Sequence, residues 1–475
     1  MKSDTEPENQ SLTKFLSNND GNILVYGDIV IDEFKKTTTN RLSSEHPIPV
    51  FEDLPETIKS LGGAGNVFMN ILSFNQKCSI LTILEEKYGK MVNQPENVIN
   101  MEDEDYKNIK KTRYYCQNKQ TVRIDSVNNY SMKETVIEKF KRKIDEIISD
   151  YNVIIISDYN TGIVHSEITQ YLINAANKLD IKTIVDPKNT YNQYKNCTII
   201  KSNRKDAEKF SKRTIENEED AYFACEMFMK ELNADECIIT LSENGCVYMN
   251  KKKEKVAVDA IIDNTYDIKD VTGAGDTFIS TFAMGILRNM KIYDNLYLCN
   301  LFCSDVIKRN YVTPVDMLDI LKQSNNVFYE ADCHLLKPFL KNKKVVFTTG
   351  CFDILHEGHI ETFKVGKGLG NIFIVALNDD NSIRMLKGNN RPINNLHTRL
   401  TILSSIKYID FIIIFSGETP NEIFNLLEPN ILVKGDDYSF EKIKEIFPNV
   451  KEFISIPRVN NIDTTSIINK IKNQN

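Results

Sequence analysis

The sequence has few of the features that mark membrane or secreted proteins. No stretch approaches the ~18 consecutive apolar residues of a membrane-spanning helix. Residues 1–20 contain no apolar core of the signal-peptide kind. The ten cysteines include no CxxC pair, and several lie in apolar runs, which is typical of buried free thiols in a reducing compartment. We therefore expect a cytoplasmic protein without a membrane partner.

The chain also lacks an excess of positive charge. The chain has 59 Lys and Arg against 66 Asp and Glu, a formal net charge of −7. Nucleic-acid-binding proteins normally show a basic surface excess, so we expect no nucleic-acid partner, although local basic groups can bind small phosphates. At 475 residues the chain is too long for one ordinary core, and two or three domains are expected.

Two series of alternating strands and helices indicate two α/β domains. The first runs from about residue 22 and predicts a mostly parallel, doubly wound sheet. The second begins after Phe339 and is about the size of one Rossmann-like domain. The polar, irregular stretch between them suggests a boundary. We predict a flexible N-terminus at residues 1–20, a larger domain at 21–325, a linker at 326–342 and a smaller domain at 343–475.

Residues 344–363, KVVFTTGCFDILHEGHIETF, predict a strand, a turn at Gly350 and a helix from about Ile354. Such a junction presents backbone N–H groups and a helix N-terminus to a phosphate. His356 and His359 share one face of the helix and can stabilise charge on that phosphate. A metal site that includes Cys351 is an alternative, but no second Cys/His cluster lies nearby in the sequence to complete the coordination. We expect no structural metal.

Residues 270–277, DVTGAGDT, predict an anion cradle ahead of another helix. Gly273, Ala274 and Gly275 are small enough to bring successive backbone N–H groups onto an anion. Asp276 at the mouth is placed to take a proton from a hydroxyl while the cradle holds a phosphoryl group. A tight turn with a capping aspartate would explain the tripeptide alone equally well.

The second domain resembles the HxGH nucleotidyltransferase superfamily. Gly350, Phe352, Asp353 and Gly358 match its cytidylyltransferase-like branch. The resemblance implies attack by a sugar 1-phosphate on the α-phosphorus of a nucleoside triphosphate, with His356 and His359 as catalytic residues. The residues that it implies for nucleotide and phosphate binding are Thr349, Gly350, Phe352, Lys367, Asn378, Asp379, Lys387, Arg391, Arg399, Lys434, Gly435, Asp437, Thr464, Thr465 and Ser466. The last three hydroxyls also suit N-capping of a short terminal helix.

The first domain resembles the ribokinase/PfkB sugar-kinase family. DVTGAGDT matches the family's C-terminal signature, and LGGAGNVFMN at residues 61–70 matches the N-terminal one. The resemblance implies that Asp276 is the catalytic base and that Gly273, Ala274 and Gly275 form the anion hole. It implies substrate contacts from Asp32, Gly62, Gly63, Asn66, Arg123 and Lys188. It also implies nucleotide, magnesium or phosphate contacts from Asn203, Asp206, Ser242 and Gly245. Asp206 stands where the family usually has glutamate, and the segment after Cys78 lacks an expected glycine-rich stretch.

Within these families the whole chain resembles the bifunctional heptose kinase/nucleotidyltransferases. SDYNTG at residues 157–162 and VDPK at 185–188 carry this match, and Arg41, Arg123 and Lys188 would suit an anionic sugar. The resemblance implies a ribokinase-like doubly wound domain followed by a Rossmann-like HxGH domain. It implies ATP and sugar phosphate substrates, Mg²⁺ bound with the phosphates, no protein-only metal site, and a possible homodimer through the kinase domain. Another sugar phosphate, CTP or GTP in place of ATP, or a degenerate kinase scaffold are the alternatives.

Overall fold

The computed structural model describes residues 5–17, 20–92, 94–117, 119–188, 190–261, 268–324, 326–436, 438–457 and 467. The chain folds as two compact units. After the families that their sequences resemble, the first unit, Gln10–Asp316, is called the kinase unit below, and the second, Met317–Asn475 together with Met1–Asn9, the transferase unit. Within the described ranges, we find no helix with the length and hydropathy needed to cross a bilayer.

The kinase unit is built on a nine-stranded sheet in the order β13-β12-β11-β10-β9-β8-β1-β4-β5. Its strands and those of a smaller sheet are β1 (Ile23–Gly27), β2 (Ile29–Leu42), β3 (Pro49–Gly63), β4 (Cys78–Thr82), β5 (Val98–Asn100), β6 (Lys110–Cys116), β7 (Lys119–Asp125), β8 (Val153–Ser157), β9 (Lys182–Asp186), β10 (Ile199–Asn203), β11 (Glu236–Thr240), β12 (Cys246–Asn250) and β13 (Lys255–Val258). Its helices are α2 (Ala64–Ser73), α3 (Glu134–Ile147), α4 (Ser166–Lys178), α5 (Arg204–Ser211), α6 (Glu218–Leu232), α7 (Ala274–Leu287) and α8 (Ile292–Val306), together with the part of α1 (Thr5–Leu16) that begins at Gln10.

Parallel pairing dominates this sheet, and only β12 and β13 at one edge run antiparallel to their neighbours. Every residue of β1 and β8 is buried, as expected for central strands covered by helices on both faces. Uninterrupted apolar sequences such as Val-Ile-Ile-Ile in β8 suit that position. The predicted doubly wound α/β fold is confirmed.

A second, four-stranded sheet in the order β3-β2-β6-β7 stands beside the first, and we call it the outer sheet. β2 pairs antiparallel with β3 and parallel with β6, and β6 pairs antiparallel with β7. Much of β3 and all of β7 are exposed. Exposed strands carry no continuous apolar run, so the sequence did not predict them.

The transferase unit has a six-stranded, all-parallel sheet in the order β14-β17-β16-β15-β18-β19. Its elements are α9 (Met317–Ser324), β14 (Val327–Tyr329), β15 (Val345–Gly350), α10 (Glu357–Leu369), β16 (Ile372–Asn378), α11 (Asp380–Lys387), α12 (Leu396–Ser404), β17 (Phe411–Phe415), α13 (Asn421–Leu427), β18 (Ile431–Gly435), α14 (Phe440–Ile446) and β19 (Glu452–Ile456). The chain order reverses between β15 and β18, and α/β proteins bind ligands beyond the carboxyl ends of the strands at such a reversal.

Within residues 1–20, which we predicted to be a flexible N-terminus, the structure describes a helix. α1 occupies Thr5–Leu16. Phe15 is fully buried and meets the rings of Phe74 and Phe302 edge-on, at centroid distances of 5.3 and 5.2 Å. Most residues of this segment are polar, so its few apolar positions did not form a pattern that would predict a packed helix.

Residues 326–342, which we predicted to be a linker, contain a strand and 3₁₀ turns. β14 adds an edge strand to the transferase sheet by pairing with β17, and Leu335, Leu336 and Leu340 of the following 3₁₀ turns are buried. The kinase unit ends at Asp316, not at residue 325. A three-residue strand is too short to show a period of two, which is why it was read as irregular.

Candidate active sites

The first site is built on the N-terminus of α7. Gly273 precedes the helix with a φ of 88°, in the left-handed region that favours glycine. A Cβ at this position would also approach the Asn66 amide nitrogen to 2.8 Å. Gly273, Ala274 and Gly275 thus form the tight turn that presents the helix's first backbone N–H groups, a ready anion site.

Asp276 follows in the first turn of α7 and is 3% exposed. One carboxylate oxygen accepts a hydrogen bond from the Asn66 side chain at 2.9 Å, and the other accepts one from the Tyr159 hydroxyl at 2.6 Å. Burial raises the pKa of Asp276 to about 6, and these two hydrogen bonds oppose the rise. A carboxylate with a pKa near 6 is a stronger proton acceptor than an ordinary aspartate and is still ionised at neutral pH.

Sequence reasoning missed Tyr159. Its backbone is held by Asp28, a buried carboxylate at the end of β1 that accepts the N–H groups of Tyr159, Thr161 and Ile163 at 2.8, 3.2 and 3.0 Å. The Thr161 hydroxyl donates to the same carboxylate at 2.8 Å. Asp28 therefore fixes the loop that carries the Tyr159 hydroxyl to Asp276. The SDYNTG motif was the available signal for this loop.

Lys201 was also missed. Its side chain is 5% exposed and its ammonium pairs with Asp186 at 2.8 Å. The same ammonium lies 3.2 Å from where a Cβ on Gly275 would be. A buried cation therefore sits directly beside the anion hole. Lysine on an apolar strand is the signal that could have found it.

The outer sheet brings further predicted residues towards this site. Gly62 and Gly63 end β3 and lead into α2, which carries Asn66. Asp32 of β2 is buried and pairs with Arg113 at 2.5 Å. Arg113 thus satisfies the carboxylate that we predicted to contact the sugar.

Arg41 and Arg123 lie further out on the outer sheet. Arg41 is exposed, 3.7 Å from Glu52. Arg123 is half-exposed and donates two hydrogen bonds to Asp125, at 2.7 and 2.6 Å. Both guanidinium groups therefore already have a carboxylate neighbour.

The predicted nucleotide-side residues lie at the ends of β10 and β11. Asn203 caps α5 by accepting the Asp206 N–H at 3.0 Å, and its amide donates to the Asp206 carboxylate at 2.7 Å. The Lys188 ammonium is 3.7 Å from Asp206. Ser242 and Gly245 bracket the turn into β12, and a Cβ on Gly245 would collide with the Val258 carbonyl oxygen at 2.0 Å.

The second site lies where β15 ends and α10 begins. His356 is the N-cap of α10, and its backbone carbonyl oxygen accepts the backbone N–H of His359 at 3.0 Å. In the other direction, the Nδ1 of His359 accepts the backbone N–H of His356 at 3.4 Å. The two rings lie 3.9 Å apart. Capping thus fixes both imidazoles at a helix N-terminus.

His359 is electrically neutral at physiological pH. Burial lowers its pKa to about 4, helped by the neighbouring His356 and Lys387. A neutral imidazole offers one N–H donor and one acceptor nitrogen. Since the Nδ1 of His359 accepts a backbone N–H, its Nε2 is left as the proton-bearing nitrogen.

A cavity of about 720 Å³ opens beside the two histidines, at the reversal of strand order. The predicted residues that line it are Thr349, Gly350, Phe352, His356, His359, Asn378, Lys387, Arg391, Lys434 and Gly435.

Arg391 is anchored by Asp353, which also accepts the backbone N–H groups of Ile393 and Asn394. These bonds hold the pKa of the buried Asp353 below its usual value. The volume and the cations suit a nucleotide.

Comparison with known proteins decides the family. The profile described as pfkB family carbohydrate kinase matches residues 22–314, and the one described as cytidylyltransferase-like matches 347–470. The chain is 31% identical to the "Bifunctional protein HldE" of Nitratiruptor sp. over 95% of this chain and 99% of that protein. It is 33% identical to the protein of the same name from Campylobacter concisus, over 95% and 97%. The chain belongs to the HldE family. It is a kinase and a nucleotidyltransferase on one polypeptide.

Solved structures are similar to the kinase unit of this HldE-family chain in fold alone. Escherichia coli phosphofructokinase-2 in complex with potassium has a TM-score of 0.54 at 16% identity, covering 64% of this chain and 98% of that one. Arabidopsis thaliana ribokinase complexed with ribose and ATP has a TM-score of 0.50 at 15% identity, covering 64% and 99%. The family and fold class predicted from the sequence are confirmed.

Three residues predicted to bind the nucleotide in the HldE-family transferase site already make structural contacts within the protein and are absent from the lining of the cavity. Lys367 pairs with Asp410 at 2.5 Å and contacts the Asn371 carbonyl, near the amino end of β16. The cavity lies at the other end of the strands, because His359 and Lys367 lie near opposite ends of α10. Asp379 caps α11 by accepting the Ser382 N–H at 2.7 Å.

Arg399 is the third of these residues. It is fully buried and does not line the cavity. Its guanidinium donates to the carbonyl oxygens of Cys351, Asn378 and Asn394 at 2.9, 2.7 and 3.1 Å, and to Asp380 at 2.7 Å. It therefore joins the loops around the cavity.

Four predicted residues, Asp437, Thr464, Thr465 and Ser466, lie outside the described residues. The metal alternative for Cys351, His356 and His359 gains no support, because the described part of the chain contains no group of three or more His, Cys, Asp or Glu side chains that could hold a metal ion.

Proposed function

We propose that this HldE-family enzyme catalyses two steps of nucleotide-sugar synthesis. The kinase unit phosphorylates the anomeric hydroxyl of a heptose 7-phosphate with ATP. The transferase unit moves an adenylyl group from ATP to a heptose 1-phosphate, giving ADP-heptose and pyrophosphate. The observation that carries the proposal is the presence of two assembled catalytic groups, Asp276 at its anion hole and the His356–His359 pair at its cavity, in a chain that aligns with HldE proteins along nearly its whole length.

In the kinase reaction, Asp276 takes the proton of the attacking hydroxyl, and the sugar oxygen forms its bond to the γ-phosphorus while ADP leaves. The backbone N–H groups at the start of α7 face the charge that develops on the transferred phosphoryl oxygens. Lys201 adds a fixed positive charge beside Gly275. The buried position of Asp276 keeps water away from the proton-accepting oxygen.

In the transferase reaction, a phosphate oxygen of the sugar 1-phosphate attacks the α-phosphorus of ATP and pyrophosphate leaves. The Nε2–H of neutral His359 donates a hydrogen bond to the α-phosphate oxygens as they gain charge. Lys387, Arg391 and Lys434 line the cavity and offset the charge of the triphosphate. The helix dipole of α10 adds to this field.

Asn203 and Asp206 of the kinase unit fit a role in holding Mg²⁺ together with the phosphates. Mg²⁺ keeps several waters and needs only one or two protein carboxylates, and Asp206 offers a partly exposed one at the N-terminus of α5. Bound there, the metal would neutralise charge on the phosphate chain.

We also propose that the enzyme works in the cytoplasm as a homodimer joined through the outer sheet. All ten cysteines are free, and eight are buried, as suits a reducing compartment. Leu54, Val122 and Ile124 leave 42%, 39% and 55% of their surface exposed on strands of this sheet. Light scattering on the full chain tests the dimer, and a Leu54→Asp variant should shift it to the monomer.

The decisive experiment for the activity incubates the full chain with ATP and heptose 7-phosphate, and follows ADP together with the phosphorus NMR signal of a sugar 1,7-bisphosphate. Asp276→Asn should remove this reaction and leave pyrophosphate release from heptose 1-phosphate and ATP intact, so the second reaction controls for folding. ADP formation that survives in Asp276→Asn would refute the kinase assignment. Pyrophosphate release with CTP or GTP but not with ATP would refute adenylyl transfer.

A further inference from the structure

Five charged side chains meet on one face of the outer sheet, next to the kinase site. Lys111 of β6 is opposite Asp32 of β2 and Asp125 of β7, and Arg113 of β6 is opposite Arg123 of β7. Directly opposite residues on neighbouring strands, and alternate residues along one strand, point to the same face. Three cations therefore share this face with two carboxylates.

Both carboxylates are already engaged by the arginines. Asp32 pairs with Arg113 at 2.5 Å in a buried ion pair, and Asp125 takes both hydrogen bonds of Arg123. Among the residues that the structure describes, Lys111 has no carboxylate within 4.0 Å. Its ammonium contacts the ring of Tyr159 instead, 5.0 Å from the centroid. Lys111 is thus the unneutralised cation of the group.

An unneutralised ammonium in this place is unfavourable for the protein alone. Lys111 is half-buried, and burial lowers its pKa. The nearby Arg123 and Arg113 act in the same direction, and Asp32 and Asp125, which are already paired with these arginines, oppose them without cancelling the effect of burial. An anion arriving at this face would reverse both effects, because it would replace the lost hydration of the ammonium and offset the excess positive charge.

The position of Lys111 relates this cation to the catalytic base. The ring that Lys111 contacts belongs to the same Tyr159 whose hydroxyl donates to Asp276. One tyrosine side chain therefore separates the ammonium from the group that deprotonates the sugar. A sugar whose reacting hydroxyl lies at Asp276 would place its opposite end along the outer sheet.

We propose that Lys111 binds the phosphate group that the acceptor sugar already carries, and that this contact selects a sugar phosphate over the free sugar. The inference rests on the proposed kinase function, since it names the residue that recognises the distal end of the same substrate. Arg123, whose bonds to Asp125 are half-exposed, is the neighbouring cation on that face.

The test compares Lys111→Met with the full-length wild type in steady-state kinase assays at saturating ATP. Methionine keeps most of the side chain's length and removes the charge. We expect the KM for heptose 7-phosphate to rise about 10- to 100-fold, as for loss of a hydrogen bond to a charged group. We expect kcat and the KM for ATP to stay within about threefold, and Lys111→Arg to restore most of the affinity.

Lys110→Met is the matched control. Lys110 precedes Lys111 on β6 and points to the opposite face of the sheet. The KM of the Lys110→Met variant for heptose 7-phosphate should therefore match that of the wild type. Inorganic phosphate should compete with the sugar phosphate in the wild type and lose this effect in Lys111→Met. An unchanged KM in Lys111→Met, an equal rise in Lys110→Met, or a fall in kcat alone would overturn the proposal. A wild type that fails to consume ATP with heptose 7-phosphate would instead refute the kinase assignment itself.

Discussion

The hydrogen bond from Tyr159 to Asp276 lowers the proton affinity of the carboxylate that we propose as the kinase base. Burial raises the Asp276 pKa to about 6, and the Tyr159 hydroxyl opposes that rise by stabilising the carboxylate. Tyr159→Phe should therefore raise the pKa further, by about 1 to 2 units for a hydrogen bond to a charged group. Because Asp276 acts when ionised, the acidic limb of kcat/KM should move to higher pH, with a larger loss of rate at pH 6.5 than at pH 9.

Tyr130→Phe is the control for this shift, because its hydroxyl also donates to a carboxylate, that of Asp103 at 2.7 Å, away from the base. Its pH profile should match that of the wild type. An acidic limb that stays in place in Tyr159→Phe would show that this hydroxyl does not tune Asp276.

His359 should act without a positive charge. Its pKa of about 4 keeps it neutral above about pH 5, so pyrophosphate release should show no titration of His359 through the ordinary histidine range. If its role is to donate an N–H, His359→Gln should keep more activity than His359→Ala, for which we expect a loss of about 10²- to 10³-fold. Kinase activity measured in the same variants controls for folding. Equal losses in Gln and Ala would argue for a cationic role instead.

Catalytic residues and positioning residues differ in how far the sequence predicts them. Asp276, His356 and His359 lie in short motifs whose local geometry follows from glycine and helix chemistry, and the structure puts each at the helix N-terminus expected for it. Tyr159 reaches Asp276 across 117 residues of sequence, and no local pattern encodes that contact. The sequence did not show that Lys367 lies at the other end of α10 from His359 and pairs with Asp410, because a cation near a motif does not reveal which end of its helix faces the site.

At the level of secondary-structure elements, the loops around the transferase cavity depend on one buried side chain. Arg399 of α12 donates to three carbonyl oxygens and to Asp380. Arg399→Met would remove this partner from all four acceptors, of which the Asn378 carbonyl is buried and Asp380 is partly exposed, so we expect a cost of about 1–3 kcal/mol. The temperature at which pyrophosphate release is lost should fall by several degrees, while kinase activity is retained.

Arg384→Met provides the comparison on the neighbouring helix α11. Arg384 is exposed and its guanidinium bonds to the Asn381 side chain at 2.6 Å, so its loss should change stability by no more than about 0.5 kcal/mol. If Arg399→Met loses pyrophosphate release at the same temperature as Arg384→Met, the hydrogen bonds of Arg399 do not stabilise the loops around the cavity.

Element prediction succeeded where burial left a pattern. Strands such as Val153–Ser157 and Phe411–Phe415 are buried along their whole length, so apolar runs revealed them. The outer sheet was missed because β3 and β7 face solvent and carry no apolar run. Each pairs with the strand before it, and the sheet is completed by pairing between β2 and β6, which are distant in the sequence. β14 was missed for a similar reason, since its hydrogen bonds go to β17.

At the scale of the whole molecule, the two reactions that we propose do not connect directly. The product of the kinase unit carries two phosphates, and the substrate of the transferase unit carries one. A separate phosphatase must therefore act between them, and the intermediate has to leave the first site. Fusion of the two units should then fix their ratio without channelling the intermediate.

A complementation experiment tests this expectation. Asp276→Asn should retain only the transferase reaction and His359→Ala mainly the kinase reaction. The two variants are mixed in equal amounts with ATP, heptose 7-phosphate and an added phosphatase. The wild type is used at a concentration that gives the same number of active kinase and transferase units. The mixture should then make ADP-heptose at the same rate as the wild type. Each variant alone should be slow. A mixture much slower than the wild type at every phosphatase concentration would show that the intermediate passes between the two units of one chain, because only then does it matter that both active sites share a polypeptide.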